Sequence, residues 1–394
     1  MRQASTKLKR IYSIDFVRGI VMIIMALDHV RDLMHVDSIA QSPTDLATTT
    51  PLLFFTRWIT YLCAPIFVFL AGTSAFIVVE KRNNIRKSRQ FLVKRGIWLI
   101  LLEFTLVNFG LFFDSGFHTI LFEVIATIGI SFIVLSLLLR LSPETIGAIG
   151  LSILLLHDLF PLLAFEKDSS IKAILSPLFT LTVTPIGTSR VFVMAYPPIP
   201  WLGILLVGFA GGKFFTLPEE RRNHLFLTIG AVCVMLFIGL RWLNAYGDPA
   251  PWSAQPTGIY TFLSFINITK YPPSLLFCLI TLGSMFLLLG GLAQKRNQLT
   301  DIISTYGRVP LFYFVIHFYL IHTLLLAILF MQGFHWSDLN FAVGSFGRLK
   351  EVKSGISLGA VYLVWLGILA LLYKPCKWFG HYKAVHKFWW LSYL

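Results

Sequence analysis

Long apolar runs, separated by short polar connectors, make up most of the chain from residue 12 onward. A run of about 17 to 25 apolar residues is long enough for a helix to cross the hydrocarbon core of a bilayer. The pattern predicts ten such spans, at residues 12–35, 52–79, 92–113, 117–139, 143–163, 197–216, 225–245, 273–293, 309–331 and 355–373. We therefore predict an all-α fold, a polytopic transmembrane helical bundle of about ten spans, with eleven left open, that forms one domain over residues 1–394.

The composition agrees with this class. Hydrophobic residues make up 56% of the 394 residues and charged residues only 13%, with a net charge of +14, whereas a soluble domain carries about twice that charged share. The basic residues lie in short clusters between apolar runs, which in a membrane protein indicates orientation rather than contact with nucleic acid. The four cysteines have no spacing typical of a disulfide frame or a zinc site. We therefore predict the lipid bilayer as a partner, with no nucleic acid and no metal.

The connectors predict which side of the membrane each end of a span faces. Residues 1–11 form a basic tail, and the connector after the second run carries seven Lys or Arg residues against Glu80. The first connector, in contrast, contains Asp37 and Asp45 and no basic residue. Because basic connectors remain in the cytoplasm, both termini are predicted to be cytoplasmic. One connector disagrees, since it would place three basic residues outside: Arg348, Lys350 and Lys353.

Two long connectors fall on the extracytoplasmic side in this scheme, at residues 164–196 and 246–272. Both are rich in Pro, Ser, Thr and aromatic residues. We predict that they could cover a site from outside.

The first apolar run is unusual because charged and titratable residues interrupt it: Asp15, Arg18, Asp28, His29, Arg31 and Asp32. An ionisable group in hydrocarbon costs several kcal/mol unless it is paired or hydrated. On a helix, Arg18 and His29 lie on nearly one line, about 16 Å apart along the axis. Asp15 precedes Arg18 by three residues and Asp32 follows His29 by three, so each acid neighbours its partner. The run therefore predicts a polar seam with a charged cluster at each end.

The histidine in this seam is a candidate acid or base, because charges of both signs surround it. Asp32 is better placed to orient His29 than Asp28, whose side chain points about 100° away from it. The alternative is structural, because charged side chains near helix ends can extend to the interface. For Asp15 and Arg18 both interpretations remain open.

The segments RIYSIDFVRG, from Arg10, and MIIMALDH, ending at His29, resemble the start of membrane acyltransferases of the heparan-α-glucosaminide N-acetyltransferase type, including a YeiB-like bacterial group. The spacing from Arg18 to His29 is also similar to that of the broader acyltransferase-3 family. The resemblance covers most of the chain and continues in TDLATTTPLLFFTRWITYLCAPIFVFLAGTSAF, YPPIPWLGILLVGFAGG, NITKYPPSLLFCLITLG, YGRVPLFYFVIHFYLIH and FWWLSYL.

This resemblance implies a transferase of the bacterial inner membrane that modifies carbohydrate. It would move an acyl group, acetyl in the first instance, from cytoplasmic acetyl-CoA to an extracytoplasmic amino sugar or glycan. In acyltransferase-3 proteins the histidine of the motif is the catalytic base, and it maps onto His29. In the heparan enzyme an asparagine stands there and the catalytic histidine lies beyond the first helix, so His35 is the second candidate. Asp28 or Asp32 would fix the tautomer of the base.

The donor and the acceptor are predicted to bind at opposite ends of the seam. The polyanionic nucleotide end of CoA suits a cluster of basic residues near the cytoplasm, for which the candidates are Arg18 with its neighbour Asp15, Lys94 and Arg95. The candidates for acceptor binding are Arg31, Arg57, Trp58, Lys270 and His317. Anchoring at the interface is the alternative for Arg57 and Trp58.

A secondary transporter or permease for a small polar or anionic solute is the alternative function. It would also contain buried charges and broken helices, but it should show an internal repeat, and none is evident in the sequence. Acyl chain length, N- versus O-acylation and oligomeric state, a homodimer included, stay open.

Overall fold

The computed structural model describes residues 11–163, 169–292, 296–341, 344–349, 352–386 and 388–392. The predicted basic tail lies outside these residues except for Ile11. The start of the predicted connector 164–196 and Lys350 also lie outside them.

Helices make up most of the described chain. The first five are α1 (Tyr12–Met34), α2 (Pro51–Ile59), α3 (Cys63–Arg82), α4 (Ile85–Leu102) and α5 (Asn108–Phe112). The next five are α6 (Val124–Leu138), α7 (Pro143–Leu156), α8 (Ser170–Phe179), α9 (Pro198–Gly211) and α10 (Glu219–Leu243). The last five are α11 (Gly258–Ile266), α12 (Leu275–Gly290), α13 (Gln298–Gly307), α14 (Pro310–Met331) and α15 (Leu358–Val385).

Seven helical stretches of the described residues are long and apolar enough to cross a membrane: Pro51–Arg82, Ile85–Phe112, Pro143–Pro161, Pro198–Thr216, Glu219–Leu243, Pro310–Met331 and Leu358–Val385. Two of them join consecutive helices, through a 3₁₀ turn at Thr60–Leu62 and a π turn at Glu103–Val107. Helix α1 is also long, at 23 residues, but its charged side chains set it apart from these seven. Helices α6 and α12 are shorter. The predicted helical membrane protein is confirmed, whereas the count of ten spans and the cytoplasmic termini stay predictions.

A small sheet departs from the all-α prediction. Strand β1 (Thr119–Phe122) pairs in parallel with β3 (Arg190–Met194), and β2 (Thr182–Ile186) pairs antiparallel with β3. The predicted span 117–139 therefore begins in a loop and a strand, and its helix starts only at Val124. The strands are rich in β-branched and aromatic residues, which favour a pleated surface. A short apolar run of this kind cannot be told from a helix by periodicity.

Helix α1 packs against α3, α13, α14 and α15, which brings its polar seam inside the bundle. The contact with α13 is closest at two glycines. A Cβ atom on Gly307 would lie 1.8 Å from the carbonyl oxygen of Asp15, and one on Gly19 would lie 2.0 Å from that of Ile303. The start of α1 is thus fixed against the end of α13, beside Arg308.

Arg348, whose position disagreed with the predicted orientation, is a structural residue of this bundle. Its side chain is buried, and only 2% of the residue is exposed. The guanidinium donates to the carbonyl oxygens of Leu33, His35 and Val36 at 3.3, 2.9 and 3.1 Å. These carbonyls lie at the C-terminal end of α1, where helical partners are missing. Arg348 therefore stabilises the end of α1, whereas Lys353 is exposed.

Candidate active site

A cavity of about 270 Å³ lies at the C-terminal end of α1, and we call it the histidine cavity. Its lining includes side chains from helices α1, α2, α3, α5, α6 and α14, from the segment around β1, and from the loops before α9 and α12. The polar and ionisable residues that line it include Asp28, His29, Asp32, Arg57, Glu123, Tyr196, Lys270 and Tyr271. The structure therefore brings together five of the residues predicted to be catalytic or to bind the acceptor, and they come from three separate parts of the sequence.

The carboxylate of Asp28 is the centre of a buried ion cluster. Arg57 Nη1 lies 2.6 and 2.7 Å from its two oxygens, and Arg31 Nη2 lies 2.7 Å from Oδ1. The hydroxyl of Thr60 donates to Oδ1 at 2.9 Å. Arg31 also lies 2.8 Å from Asp32, whose side chain is 41% exposed. Two carboxylates thus balance two guanidinium groups, which is the condition under which buried charges are tolerated.

His29 lines the cavity without a hydrogen bond or ion pair from its ring to any other described residue. Its ring packs against Phe318, with centroids 4.5 Å apart, and against His317 at 5.2 Å. Asp28 and Asp32 contact the arginines instead. A hydrogen bond from the His29 ring to the carboxylate of Asp32 is therefore not present in the described part of the chain, and packing holds the imidazole in place.

His317 lies behind His29 and does not line the cavity. It is fully buried, and its Nδ1 lies 3.1 Å from the carbonyl oxygen of Tyr313. Since a carbonyl only accepts, Nδ1 is the protonated nitrogen. Its Nε2 has no partner within the described ranges. His322 instead bonds to the carbonyl oxygen of Leu111 at 2.9 Å, and the described residues contain no group of three or more His, Cys, Asp or Glu that could hold a metal.

His35 and Trp58 also lie outside the lining of the histidine cavity. The carbonyl of His35 accepts from Arg348, and its backbone pairs with Ile356 beyond the end of α1. The indole nitrogen of Trp58 donates to the carbonyl oxygen of Ile266 at 3.0 Å. Of the two candidate bases, the one that reaches the cavity is His29.

The loop before α12 carries Lys270 into the cavity. Lys270 is only 7% exposed, and its Nζ lies 4.9 Å from the centroid of the Tyr271 ring. The carboxylate of Asp248 holds this loop, because it accepts from the amide and hydroxyl of Thr269 at 2.8 and 3.0 Å and from the hydroxyl of Ser274 at 2.7 Å. Residues of the predicted connector 246–272 therefore form one wall of the site.

Sequence reasoning missed two tyrosines that line the histidine cavity. Tyr196 and Tyr271 each precede a pair of prolines, in YPPIP and YPPS. Their hydroxyl oxygens lie 3.4 Å apart and their ring centroids 5.3 Å apart. The repeated YPP tripeptide is the signal that could have identified them. Glu123 is an acid in an apolar run, but nothing in the sequence indicates that it lines the same cavity as Lys270.

A second cavity, of about 560 Å³, lies at the N-terminal end of α1, and we call it the basic cavity. Arg18 donates there to the carbonyl of Leu70 at 2.8 Å and lies 2.5 Å from the hydroxyl of Ser74. Its lining holds one acid and five basic residues, which are Asp15 and then Arg18, Lys81, Arg95, Arg308 and Lys383. Lys94 is exposed and not part of this lining, so the predicted pair is split by the turn of α4.

The fold and these two cavities define a helical membrane protein with an ionisable site inside the bundle. Residues 10–246 match the family described as heparan-alpha-glucosaminide N-acetyltransferase, catalytic, which is more than half of the chain. The chain belongs to this family, which confirms the resemblance for the segments within residues 10–246 and indicates a membrane acetyltransferase of a class that uses acetyl-CoA as donor. No curated protein matches the chain. The match includes His29, Arg57 and Arg18, whereas Lys270 and His317 lie beyond it.

Proposed function

We propose that this protein transfers an acetyl group from cytoplasmic acetyl-CoA to an amino sugar or glycan on the other side of the membrane, with His29 as general base. One observation carries the proposal. The same helix, α1, lines a cavity rich in basic residues at its start and a cavity containing a histidine at its end.

The basic cavity supports binding of the donor. The nucleotide end of CoA carries several phosphate charges, and arginine forks match phosphate oxygens in pairs. Arg18, Arg95 and Arg308 supply such forks, with Lys81 and Lys383 as further cations. From Arg18 the distance along α1 to His29 is about 16 Å, which an extended pantetheine arm can span.

The histidine cavity supports the chemistry. The amine or hydroxyl of the acceptor attacks the thioester carbonyl, and His29 takes the proton that the attacking group loses. When the tetrahedral intermediate collapses, the carbon–sulfur bond breaks and the proton passes from His29 to the CoA sulfur. Lys270 and Arg57 lie in the same lining, where their positive charge would stabilise the oxyanion.

The other lining residues suit a polar acceptor. Glu123 and Asp32 offer carboxylates to an ammonium or to hydroxyl groups, and both belong to the lining of the histidine cavity. Tyr196 and Tyr271 add two aromatic faces with hydroxyl groups at their edges. This set of side chains favours an amino sugar over a purely apolar acceptor.

The test measures release of CoA thiol from acetyl-CoA by membrane vesicles that contain the protein, with a panel of amino sugars and glycans. We expect release that depends on an acceptor and that is lost in His29→Ala. In sealed vesicles, acetyl-CoA should support release only from the cytoplasmic side, with the acceptor on the other side. Equal activity with both substrates on one side would contradict transfer across the membrane.

A further inference from the structure

The histidine cavity and the basic cavity meet at one side chain. Among the described residues, Phe67 alone belongs to the linings of both cavities. It lies on α3, and its side chain is half-buried. The ring therefore stands where a path along α1 from Arg18 to His29 would pass.

The face of α3 that borders the two cavities is otherwise made of small residues in this region. Ala64 lines the histidine cavity, and Ala71, Ser74 and Ala75 line the basic cavity. With Phe67, these residues follow the spacing of three and four that keeps side chains on one helix face. On this face, the bulky ring of Phe67 therefore lies between small side chains.

On two other helices, residues close together in the sequence line different cavities. On α6, Val124 lines the histidine cavity and its neighbour Ile125 lines the basic cavity. On α14, Phe314 lines the histidine cavity, and Leu311, less than one helical turn away, lines the basic cavity. The residues on both sides of this boundary are apolar, and a narrow apolar constriction excludes water and ions.

We propose that the ring of Phe67 is the barrier between the two cavities, and that the pantetheine arm of the donor displaces it when the thioester reaches His29. The barrier is inferred only from the residues that line the two cavities, whereas the displacement rests on the proposed acetyl transfer. An aromatic side chain can move between staggered rotamers. The small residues of α3 on both sides of Phe67 leave room for that movement.

The experiment uses two cysteine substitutions two turns apart on the same helix face, Ala64→Cys and Ala71→Cys, each in a Cys63→Ala background. A charged, membrane-impermeant methanethiosulfonate is applied to one side of sealed vesicles, and labelling is measured by peptide mass spectrometry. We expect Ala64→Cys to be labelled from one side of the membrane only and Ala71→Cys from the opposite side only.

Combining each cysteine with Phe67→Ala should then allow labelling from both sides, at a rate several-fold above that of the parent. The matched control is Phe76→Ala. Phe76 lies on the same helix, packs against Phe209 with ring centroids 5.5 Å apart, and belongs to neither lining. The Phe76→Ala variant should leave the side of the membrane from which each cysteine is labelled unchanged. Phe67→Leu is the milder variant if Phe67→Ala does not fold, and it should allow partial crossing.

Two results would overturn the barrier: labelling of both cysteines from the same side with Phe67 intact, or unchanged sidedness in both Phe67 variants. A non-hydrolysable thioether analogue of acetyl-CoA tests the displacement, because it lacks a free thiol. Protection of both cysteines supports passage of the arm beyond Phe67, and protection of Ala71→Cys alone contradicts it. If each cysteine is labelled from its expected side but the analogue protects neither, the barrier at Phe67 is supported and the proposed donor site is contradicted.

Discussion

The two cavities share the faces of α1, α3, α6 and α14, yet they differ in the balance of acidic and basic residues that line them. At the histidine cavity, Asp28 and Asp32 are paired with Arg31 and Arg57. In the basic cavity five cations face one acid, and two of the cations, Lys81 and Arg308, are on exposed residues. A balanced, buried cluster fixes positions, whereas an excess of accessible positive charge is suited to binding an anion.

The largest effect is expected from His29→Ala, which changes the histidine cavity alone. It should lower turnover by about 10²- to 10⁴-fold, because a general base contributes that much. Membrane insertion and acetyl-CoA binding should persist, since the basic cavity is untouched. The matched control is His35→Ala, which removes a histidine outside the histidine cavity and should retain the rate. Loss of turnover in His35→Ala with normal turnover in His29→Ala would move the base to His35.

The second largest effect is expected on stability, when the carboxylate of Asp28 is removed. Asp28→Ala leaves Arg31 and Arg57 without their shared acceptor, and breaking a buried ion pair costs about 3 to 5 kcal/mol. Denaturant unfolding of the purified protein in detergent should show this loss. The control Asp32→Ala removes a side chain that is 41% exposed and should cost much less. Equal losses in the two variants would mean that Asp28 is not the centre of the cluster.

Arg348 offers a test of a positive charge that has only a structural role. Arg348→Gln removes the donors to the end of α1, and the carbonyls left unpaired should lower the free energy of unfolding by about 1 to 3 kcal/mol. Lys353→Gln, at an exposed position in the same connector, is the control and should be neutral. A loss of stability in Lys353→Gln equal to that in Arg348→Gln would contradict the structural role.

The smallest effect is expected at the basic cavity. Arg95→Gln should weaken acetyl-CoA binding by about 1 kcal/mol, because a half-exposed charge is screened by water. The difference should shrink as salt is added, and calorimetry in detergent measures both. Lys94→Gln changes the neighbouring charge outside the lining and is the matched control. Similar weakening in the two variants would indicate long-range attraction instead of contact in the cavity.

Local pattern alone was enough for the class of protein and for the seam on α1, whereas the family came from the resemblance of the segments to known acyltransferases. The length of apolar runs and the 3.6-residue period are properties of neighbouring residues. They correctly separated Arg18 and His29 to opposite ends of one helix, and each of these residues lines its own cavity.

Only the tertiary structure decided which of these groups are partners. The i+3 spacing favoured Asp32 for His29, but Arg31 and an arginine from α2 engage the acids instead. The tyrosines of the two YPP segments are 75 residues apart in the chain and adjacent in the cavity. Arg348 has the same charge as any topogenic residue, and only its burial against the end of α1 reveals its role. Periodicity specifies the face on which a side chain lies, whereas the helix that covers that face depends on contacts between distant segments.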